Sequence, residues 1–135
     1  MKVSFDFDGT LSRKSIQKYA KDLVKLGHEV WIMTSRYDSI DKYSKENVKD
    51  WQIEHLPSAW TNLFDVADEV GISRDHIIFT NKESKVPYIK EQNFLWHLDD
   101  DSLELDAINR YTDTIGISVV GQSNWVDKCN KLLND

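Results

Sequence analysis

The stretch that decides the fold is VSFDFDGTL, residues 3–11. Its apolar residues predict a short buried strand over residues 2–7. Alternation along a strand places Asp6 and Asp8 on the same side of it. Two acids at the end of a core strand are costly unless a cation or a reacting group compensates their charge. Gly9 permits a backbone conformation that other residues resist, so we expect the chain to turn sharply directly after the acids.

Segments with strand and helix patterns alternate along the rest of the chain. Further strands are predicted over residues 30–33, 76–80, 94–98 and 115–120. Helices are predicted over residues 12–26, 58–70, 86–92 and 102–111 and from residue 125 onward, and the polar segment 37–57 is expected to be helical in its middle. Ser12 or Ser15 is expected to cap the first helix and Gly27 to end it. The alternation predicts an α/β fold, a three-layer, doubly wound, Rossmann-like sandwich with a mainly parallel five-stranded sheet, in a single domain spanning residues 1–135.

The composition is that of an ordinary globular protein with an acidic balance. The 135 residues include 17 basic and 23 acidic side chains, which gives a formal net charge of −6. This charge disfavours broad binding to nucleic acid, which depends on neutralising phosphates. The single cysteine, Cys129, fits a reducing compartment, and no apolar run has the length of a membrane span. No apolar signal-peptide region precedes Asp6. We therefore expect a cytoplasmic protein that does not contact membranes.

Polar side chains follow four of the predicted strands. In a parallel sheet the C-terminal ends of the strands meet at one edge, where ligands bind. The residues that would gather there are Asp6 and Asp8, Thr34 and Ser35, Thr80, and Asp99 and Asp100. This convergence predicts an active site at that edge.

Several carboxylates at one edge repel one another and need a cation. Carboxylate oxygens are hard ligands, and the sequence offers no cysteine or histidine cluster for zinc, so Mg²⁺ is the predicted cofactor. Mg²⁺ held by carboxylates commonly serves phosphoryl groups. One carboxylate would attack phosphorus and a second would move protons. Thr34 and a nearby lysine would bind the non-bridging phosphoryl oxygens.

These motifs resemble, in order and across nearly the whole chain, those of the haloacid dehalogenase superfamily, in particular its aspartate-dependent phosphatases. DFDGT, residues 6–10, is similar to the first motif, and Thr34 is similar to the second. DD, residues 99–100, is similar to the fourth motif. The third motif is a lysine. Lys85, at the start of the helix before the fourth strand, is the preferred match, and Lys82 is the alternative.

The resemblance implies a role for each acid. Asp6 would be the nucleophile, and Asp8 would be the general acid and base, with its backbone carbonyl at the metal. Asp100 would bind Mg²⁺ directly together with Asp6, and Asp99 would be its neighbour or the alternative ligand. The adjacent Asp101 leaves that assignment open by one position.

Four further residues are expected to help hold the phosphate. The resemblance implies that Gly9 and Thr10 shape a turn whose backbone N–H groups bind phosphate. Ser35 and Arg36 directly follow the second motif, and Arg36 is a candidate ligand of a substrate phosphate. His97, inside the fourth predicted strand, is expected to be a packed core residue.

The spacing between the motifs leaves no room for a full cap domain of the kind that members of the superfamily often carry. The chain therefore resembles the capless members, whose open site suits a bulky substrate. It also suits a small substrate if segment 37–57 or an oligomeric neighbour covers the site. The acidic net charge weighs against nucleic acid, whereas Arg13, Lys14 and Arg36 weigh for a phosphate-rich ligand.

The favoured function is a Mg²⁺-dependent phosphatase that hydrolyses a phosphate monoester through an aspartyl-phosphate. A nucleotidase or a polynucleotide end phosphatase would apply the same chemistry to another substrate. A catalytically weak domain that binds phosphorylated ligands or partners is the alternative from another class, and the intact pair of Asp6 and Asp8 argues against it. A phosphotransferase, or an enzyme that cleaves phosphonates or halides, is a further alternative, although Asp8 favours phosphoryl chemistry.

Overall fold

The sheet consists of five parallel strands. The computed structural model describes residues 1–38, 63–121 and 123–134. Within these residues the strands are β1 Lys2–Phe5, β2 Glu29–Thr34, β3 Ile77–Phe79, β4 Trp96–Asp99 and β5 Ile115–Ser118. Their order across the sheet is β3-β2-β1-β4-β5, and every neighbouring pair is parallel. The predicted α/β fold with a five-stranded parallel sheet is confirmed, and it is consistent with a Rossmann-like arrangement.

Helices cover both faces of this sheet. They are α1 Lys14–Lys25, α2 Leu63–Val70, α3 Val86–Gln92, α4 Ser102–Tyr111 and α5 Trp125–Asn134. One hydrophobic cluster joins α1, α2 and α5 to one face and includes Val3 and Phe5 of β1. A smaller cluster joins α3 and α4 to the other face. Because side chains alternate along a strand, Ser4 and His97 face the side of α3 and α4.

The first strand is shorter than predicted. It ends at Phe5, and residues 7–11 form a wide turn in which the Leu11 N–H donates to the Asp6 carbonyl at 3.0 Å. Gly9 has a φ of 76°, in the left-handed region that favours glycine. The expected sharp turn after the acids is therefore present, whereas the prediction of a strand that continues to residue 7 is wrong.

The first helix begins two residues later than predicted. Arg13 holds its N-cap position, so the prediction that Ser12 or Ser15 caps the helix is wrong. The Ser12 hydroxyl instead accepts the Gly9 N–H at 3.1 Å and so braces the preceding turn. At the other end the prediction is confirmed, since Gly27 follows the helix with a φ of 90°.

The remaining elements differ from their predictions mainly at the strand ends. Helices α3 and α4 have the predicted bounds. Strand β3 is shorter because residues 74–76 form one 3₁₀ turn and only residues 77–79 pair with β2. Strand β4 extends one residue further than expected and so includes Asp99. The helix predicted over residues 58–70 is observed as α2, while residues 58–62 and most of segment 37–57 lie outside the described residues.

A membrane-spanning helix would have to be both long and strongly apolar. Among the helices of the described residues, none has the length and apolar character that crossing a bilayer requires.

Leu23 and Leu26 offer a matched test of how α1 packs on the sheet. Leu23 is 2% exposed in the core, whereas Leu26, at the C-cap of the helix, is 74% exposed. We expect Leu23→Ala to lower the free energy of unfolding by about 2–5 kcal/mol, because it leaves a cavity. We expect Leu26→Ala to change it by less than about 0.5 kcal/mol. Urea unfolding followed by circular dichroism measures both, and equal losses would contradict this packing.

Candidate functional site

The C-terminal ends of β1, β2 and β4 and the turn after β3 surround a pocket of about 730 Å³. The residues that line it are Asp6, Asp8, Ser35, Lys82, Glu83, Ser84, Lys85, Asp99, Asp100, Asp101 and Glu104. Seven of these eleven side chains are acidic and two are lysines. The polar ends of three neighbouring strands thus meet at one strongly electronegative edge of the sheet.

Asp6 is a buried acid whose main chain is fixed by the central sheet. Its N–H donates across to β4 at 2.8 Å, and its Oδ2 accepts the Thr10 hydroxyl at 3.3 Å. Burial raises the pKa of Asp6 to about 8, and the charges of Asp99 and Asp100 add to this rise, while Lys85 opposes it. For Asp6, the cost of burying a negative charge beside two further acids therefore exceeds the stabilisation that Lys85 supplies.

Lys85 joins two buried acids. It occupies the N-cap position of α3, and its Nζ donates to Asp6 Oδ1 at 2.8 Å and to Asp99 Oδ2 at 2.6 Å. Burial alone would lower the pKa of Lys85, but the two carboxylates raise it above its ordinary value. Lys82, the alternative, is exposed on the pocket wall, and its backbone N–H donates to the Ser35 carbonyl at 2.8 Å. Of the two lysines, Lys85 is the one that contacts Asp6.

Asp99 is fully buried, and its carboxylate receives four donors. Oδ2 accepts from Lys85 and, at 2.8 Å, from the His97 ring, while Oδ1 accepts the backbone N–H groups of Asp100 and Asp101 at 2.8 and 3.1 Å. Burial alone would raise the pKa of Asp99, but the hydrogen bonds and charges of His97 and Lys85 hold it well below its ordinary value. A carboxylate with four donors has its acceptor sites filled. This geometry therefore favours Asp100 over Asp99 as a direct metal ligand.

The three consecutive acids after β4 have three different surroundings. Asp99 is the buried anchor just described, and Asp101 caps α4 by accepting two of its first N–H groups at 3.1 and 3.3 Å. The Asp100 carboxylate lies directly over Gly9, where a Cβ atom would overlap it. Carboxylate oxygens of Asp6, Asp99 and Asp100 lie within 4.8 Å of one another. Desolvation raises the pKa of Asp100 above its ordinary value. The sequence leaves open which of these three acids would bind Mg²⁺ directly, and their contacts favour Asp100.

Asp8 lies at the edge of the pocket and forms a bidentate ion pair. Arg36 donates from Nε to Asp8 Oδ2 at 2.9 Å and from Nη2 to Asp8 Oδ1 at 2.7 Å. The guanidinium also lies over the Phe7 ring, at 4.8 Å from its centroid. The Asp8 side chain is 50% exposed, whereas that of Arg36 is 5% exposed. Arg36 therefore contacts Asp8, and the expectation that it binds a substrate phosphate stays a prediction.

The other residues expected to bind phosphate differ in whether they line the pocket. Ser35 lines the pocket, whereas Thr34 is buried beside it, and the Thr34 hydroxyl accepts the Arg36 N–H at 3.3 Å. Gly9 and Thr10 lie in the turn that carries Asp6. Arg13 and Lys14 are exposed at the start of α1 and are not among the residues that line the pocket.

Sequence reasoning missed the partners that brace the buried acids. His97 is buried as expected, but its Nδ1 also lies 2.7 Å from the Ser4 hydroxyl. Glu104 accepts the backbone N–H of Lys85 and the Ser84 hydroxyl. The signal for His97 was present, because residues 97 and 99 in one strand share a side. The signal for Ser4 was absent, since its pairing with His97 depends on the register between β1 and β4.

Comparison with known proteins adds no further information about this site. Neither the protein-family models nor the curated proteins give a match to this chain. Functional interpretation therefore depends on the geometry of the pocket and on the sequence motifs.

Gly9 and Gly27 provide a matched test of the close fit between the turn and Asp100. Their φ values are 76° and 90°, but a Cβ at Gly9 would overlap Asp100, whereas nothing lies within 4 Å of one at Gly27. We expect both alanine variants to lose about 1–2 kcal/mol of unfolding free energy through backbone strain. Gly9→Ala alone should also weaken Mg²⁺ binding by about tenfold or more, because the Asp100 carboxylate must move aside. Calorimetric titration with Mg²⁺ measures this, and equal affinities in the two variants would contradict the expected role of Asp100.

Proposed function

We propose that this protein is a Mg²⁺-dependent phosphatase that hydrolyses a phosphate monoester through an aspartyl-phosphate, in the manner of the capless haloacid dehalogenase phosphatases that its motifs resemble. The observation that carries the proposal is the buried contact of Lys85 with Asp6 at 2.8 Å inside the acidic pocket. A nucleophilic carboxylate must face the substrate while a fixed cation neutralises phosphoryl charge. Asp6 and Lys85 supply this combination at the end of the central strand.

The donor set fits the proposed cation. Carboxylate oxygens are the ligands that Mg²⁺ prefers, and Asp6 and Asp100 present theirs to the same pocket. Burial, with smaller contributions from neighbouring acids, raises the pKa values of both acids, so a cation in the pocket would stabilise their ionised forms. Asp6 and Asp100 would therefore hold the ion, and Asp8 would contribute its backbone carbonyl, as the resemblance implies. When bound, Mg²⁺ would neutralise charge on the phosphoryl oxygens.

The proposed reaction proceeds in two displacements at phosphorus. An Asp6 carboxylate oxygen attacks the phosphorus atom, the bond to the ester oxygen breaks, and Asp8 gives a proton to the leaving oxygen. Water then attacks the phosphorus atom while Asp8 accepts a proton from that water, the bond between phosphorus and the Asp6 oxygen breaks, and inorganic phosphate leaves with Asp6 restored. Lys85 keeps Asp6 in place and opposes the negative charge that spreads over the phosphoryl oxygens.

Arg36 has a positioning task in this scheme. Its two hydrogen bonds to Asp8 fix the plane of a carboxylate that is otherwise half exposed at the pocket edge. A general acid and base must be held within hydrogen-bond reach of the leaving oxygen and of the attacking water. Arg36 thus contributes to the reaction through Asp8.

Substitution of the nucleophile provides the direct test. We expect Asp6→Asn to lower the rate of phosphate release from p-nitrophenyl phosphate by about 10³-fold or more, because the amide cannot form the covalent intermediate. Asp68→Asn is the matched control, since Asp68 is an exposed acid paired with Arg74 far from the pocket lining, and its rate should equal that of the unmodified protein. Circular dichroism checks that both variants fold. An Asp6→Asn variant that retains its activity would overturn the proposed mechanism.

The charge of the pocket also bears on the substrate. Beyond the acids assigned to chemistry, Glu83, Asp101 and Glu104 line the same pocket, and Lys82 is the one exposed cation among the described lining residues. A leaving group in this pocket meets a predominantly negative wall. The wall favours a cationic or uncharged leaving group, a nucleoside included. It disfavours a polynucleotide end, whose further phosphates would be repelled.

Three phosphate esters of similar size separate these cases. Phosphoethanolamine has a cationic leaving group, propyl phosphate a neutral one and phosphoglycolate an anionic one. We expect kcat/KM to fall in that order, with about tenfold between the first and the last at low salt and less at 0.2 M salt, because screening weakens the field of the wall. Glu83→Gln should reduce the difference in kcat/KM between phosphoethanolamine and phosphoglycolate. Faster hydrolysis of phosphoglycolate than of phosphoethanolamine would contradict this selection by charge.

A further inference from the structure

A chain of hydrogen bonds runs below the pocket from β1 through β4 to α3. The Ser4 hydroxyl lies 2.7 Å from Nδ1 of His97, and Nε2 of the same ring lies 2.8 Å from Asp99 Oδ2. Asp99 Oδ2 also accepts from Lys85, whose Nζ donates at the same time to Asp6. Ser4, His97 and Asp99 are all 0% exposed. This chain ends on the acid proposed as the nucleophile, but the reaction scheme assigns no task to Ser4 or His97.

The chemistry of the partners fixes the direction of each hydrogen bond. An ionised carboxylate only accepts, so His97 donates from Nε2 to Asp99. Burial lowers the pKa of His97 below its ordinary value, which favours the neutral ring. A neutral ring with its proton on Nε2 leaves Nδ1 as an acceptor, and the Ser4 hydroxyl is therefore the donor to it. The ring is held in one tautomer and one orientation.

The geometry points to Ser4 and His97 as a positioning pair for the catalytic lysine: by holding Asp99 from below, they keep the Lys85 ammonium between Asp99 and Asp6. Asp99 Oδ1 is fixed by two backbone N–H groups, and Oδ2 is shared between His97 and Lys85. Without the His97 donor, Lys85 would be the remaining described donor to Oδ2, so this oxygen could shift and draw the ammonium away from Asp6. A misplacement of about 1 Å at a reacting group costs up to about 10²-fold in rate.

Three variants separate positioning from simple packing. His97→Gln retains an N–H donor near the position of Nε2, His97→Leu fills a similar volume without one, and Ser4→Ala removes the donor to Nδ1. We expect His97→Leu to lower kcat by about 10- to 100-fold with a smaller change in KM, and His97→Gln to stay within about threefold of the unmodified protein. If His97 only packs, the apolar leucine is tolerated at least as well as the polar glutamine, and that order would overturn the inference. Ile89→Val, a buried change on α3, is the control for loosened packing and should leave kcat unchanged.

A spectroscopic measurement tests the pair independently of turnover. Long-range ¹H–¹⁵N correlation spectra should show the His97 ring as the Nε2–H tautomer, and Ser4→Ala should keep this tautomer but shift the Nδ1 resonance, because Nδ1 loses its hydroxyl donor while Asp99 still accepts from Nε2. The buried Lys85 ammonium should give a slowly exchanging ¹⁵N signal at low temperature that His97→Gln keeps. An Nδ1–H ring in the unmodified protein, or a Lys85 signal unchanged in Ser4→Ala and in a folded His97→Leu, would overturn the inference. If His97→Leu does not fold, the imidazole and Lys85 signals of Ser4→Ala and the Lys85 signal of His97→Gln decide.

The kinetic part of this test depends on the proposed phosphatase activity, and the spectroscopic part does not. If the unmodified protein releases no phosphate while the tautomer and the Lys85 signal are as expected, the proposed function fails and the positioning pair stands. If phosphate is released but His97→Leu keeps its kcat, the positioning pair fails and the proposed function stands.

Discussion

The structure depends on one constraint, a lysine ammonium buried between two buried carboxylates. Lys85 contacts Asp6 and Asp99 at 2.8 and 2.6 Å, and the Lys85 and Asp99 side chains are 5% and 0% exposed. Buried charges are tolerated only when they are paired and hydrogen-bonded, and removal of one partner leaves an uncompensated charge. The topology meets this requirement, since β1 and β4 are neighbours and Lys85, at the N-cap of α3, contacts the acids at the ends of both strands. Lys85 can contact both acids because β1 and β4 are adjacent, so the order of the strands determines how the charges in the pocket are arranged.

The same arrangement leaves a charge imbalance that defines what the pocket can bind. One lysine faces Asp6 and Asp99, while Asp100 adds a further acid within 4.8 Å. Burial is the largest cause of the raised pKa of Asp6, and the charges of Asp99 and Asp100 add to it. A divalent cation in the pocket would remove the imbalance, and a phosphate group would then be attracted to a site that otherwise repels anions. Binding of the proposed phosphate substrate would therefore require the proposed cation in the same pocket.

Much of the fold and the residue set of the pocket could be predicted, because both follow from local patterns. Alternating strands and helices predict the parallel sheet, and polar residues after the strands predict where the pocket lies. Side-chain partners could not be predicted in this way. Arg36 bonds to Asp8, and Ser4 bonds to His97, because of rotamers and strand register that only tertiary packing determines. The end of β1 was misplaced because the chain leaves the strand after Phe5 and residues 7–11 form a turn with its own hydrogen bonds, which the apolar pattern does not show.

The number of protein donors on each carboxylate explains how neighbouring acids take different roles. Asp99 receives four donors from the protein, whereas Asp6 receives Lys85 and a long contact from Thr10. An acid whose acceptor sites are filled by the protein stabilises its surroundings, and an acid with unfilled sites in a pocket is available for a cation or a reacting group. In the sequence alone, residues 99–101 are three identical acids that cannot be told apart. Their hydrogen bonds distinguish Asp99 as a buried anchor, Asp100 as a candidate metal ligand and Asp101 as a helix cap. This difference is the physical basis for proposing Asp6 and Asp100 as the residues that bind the cation.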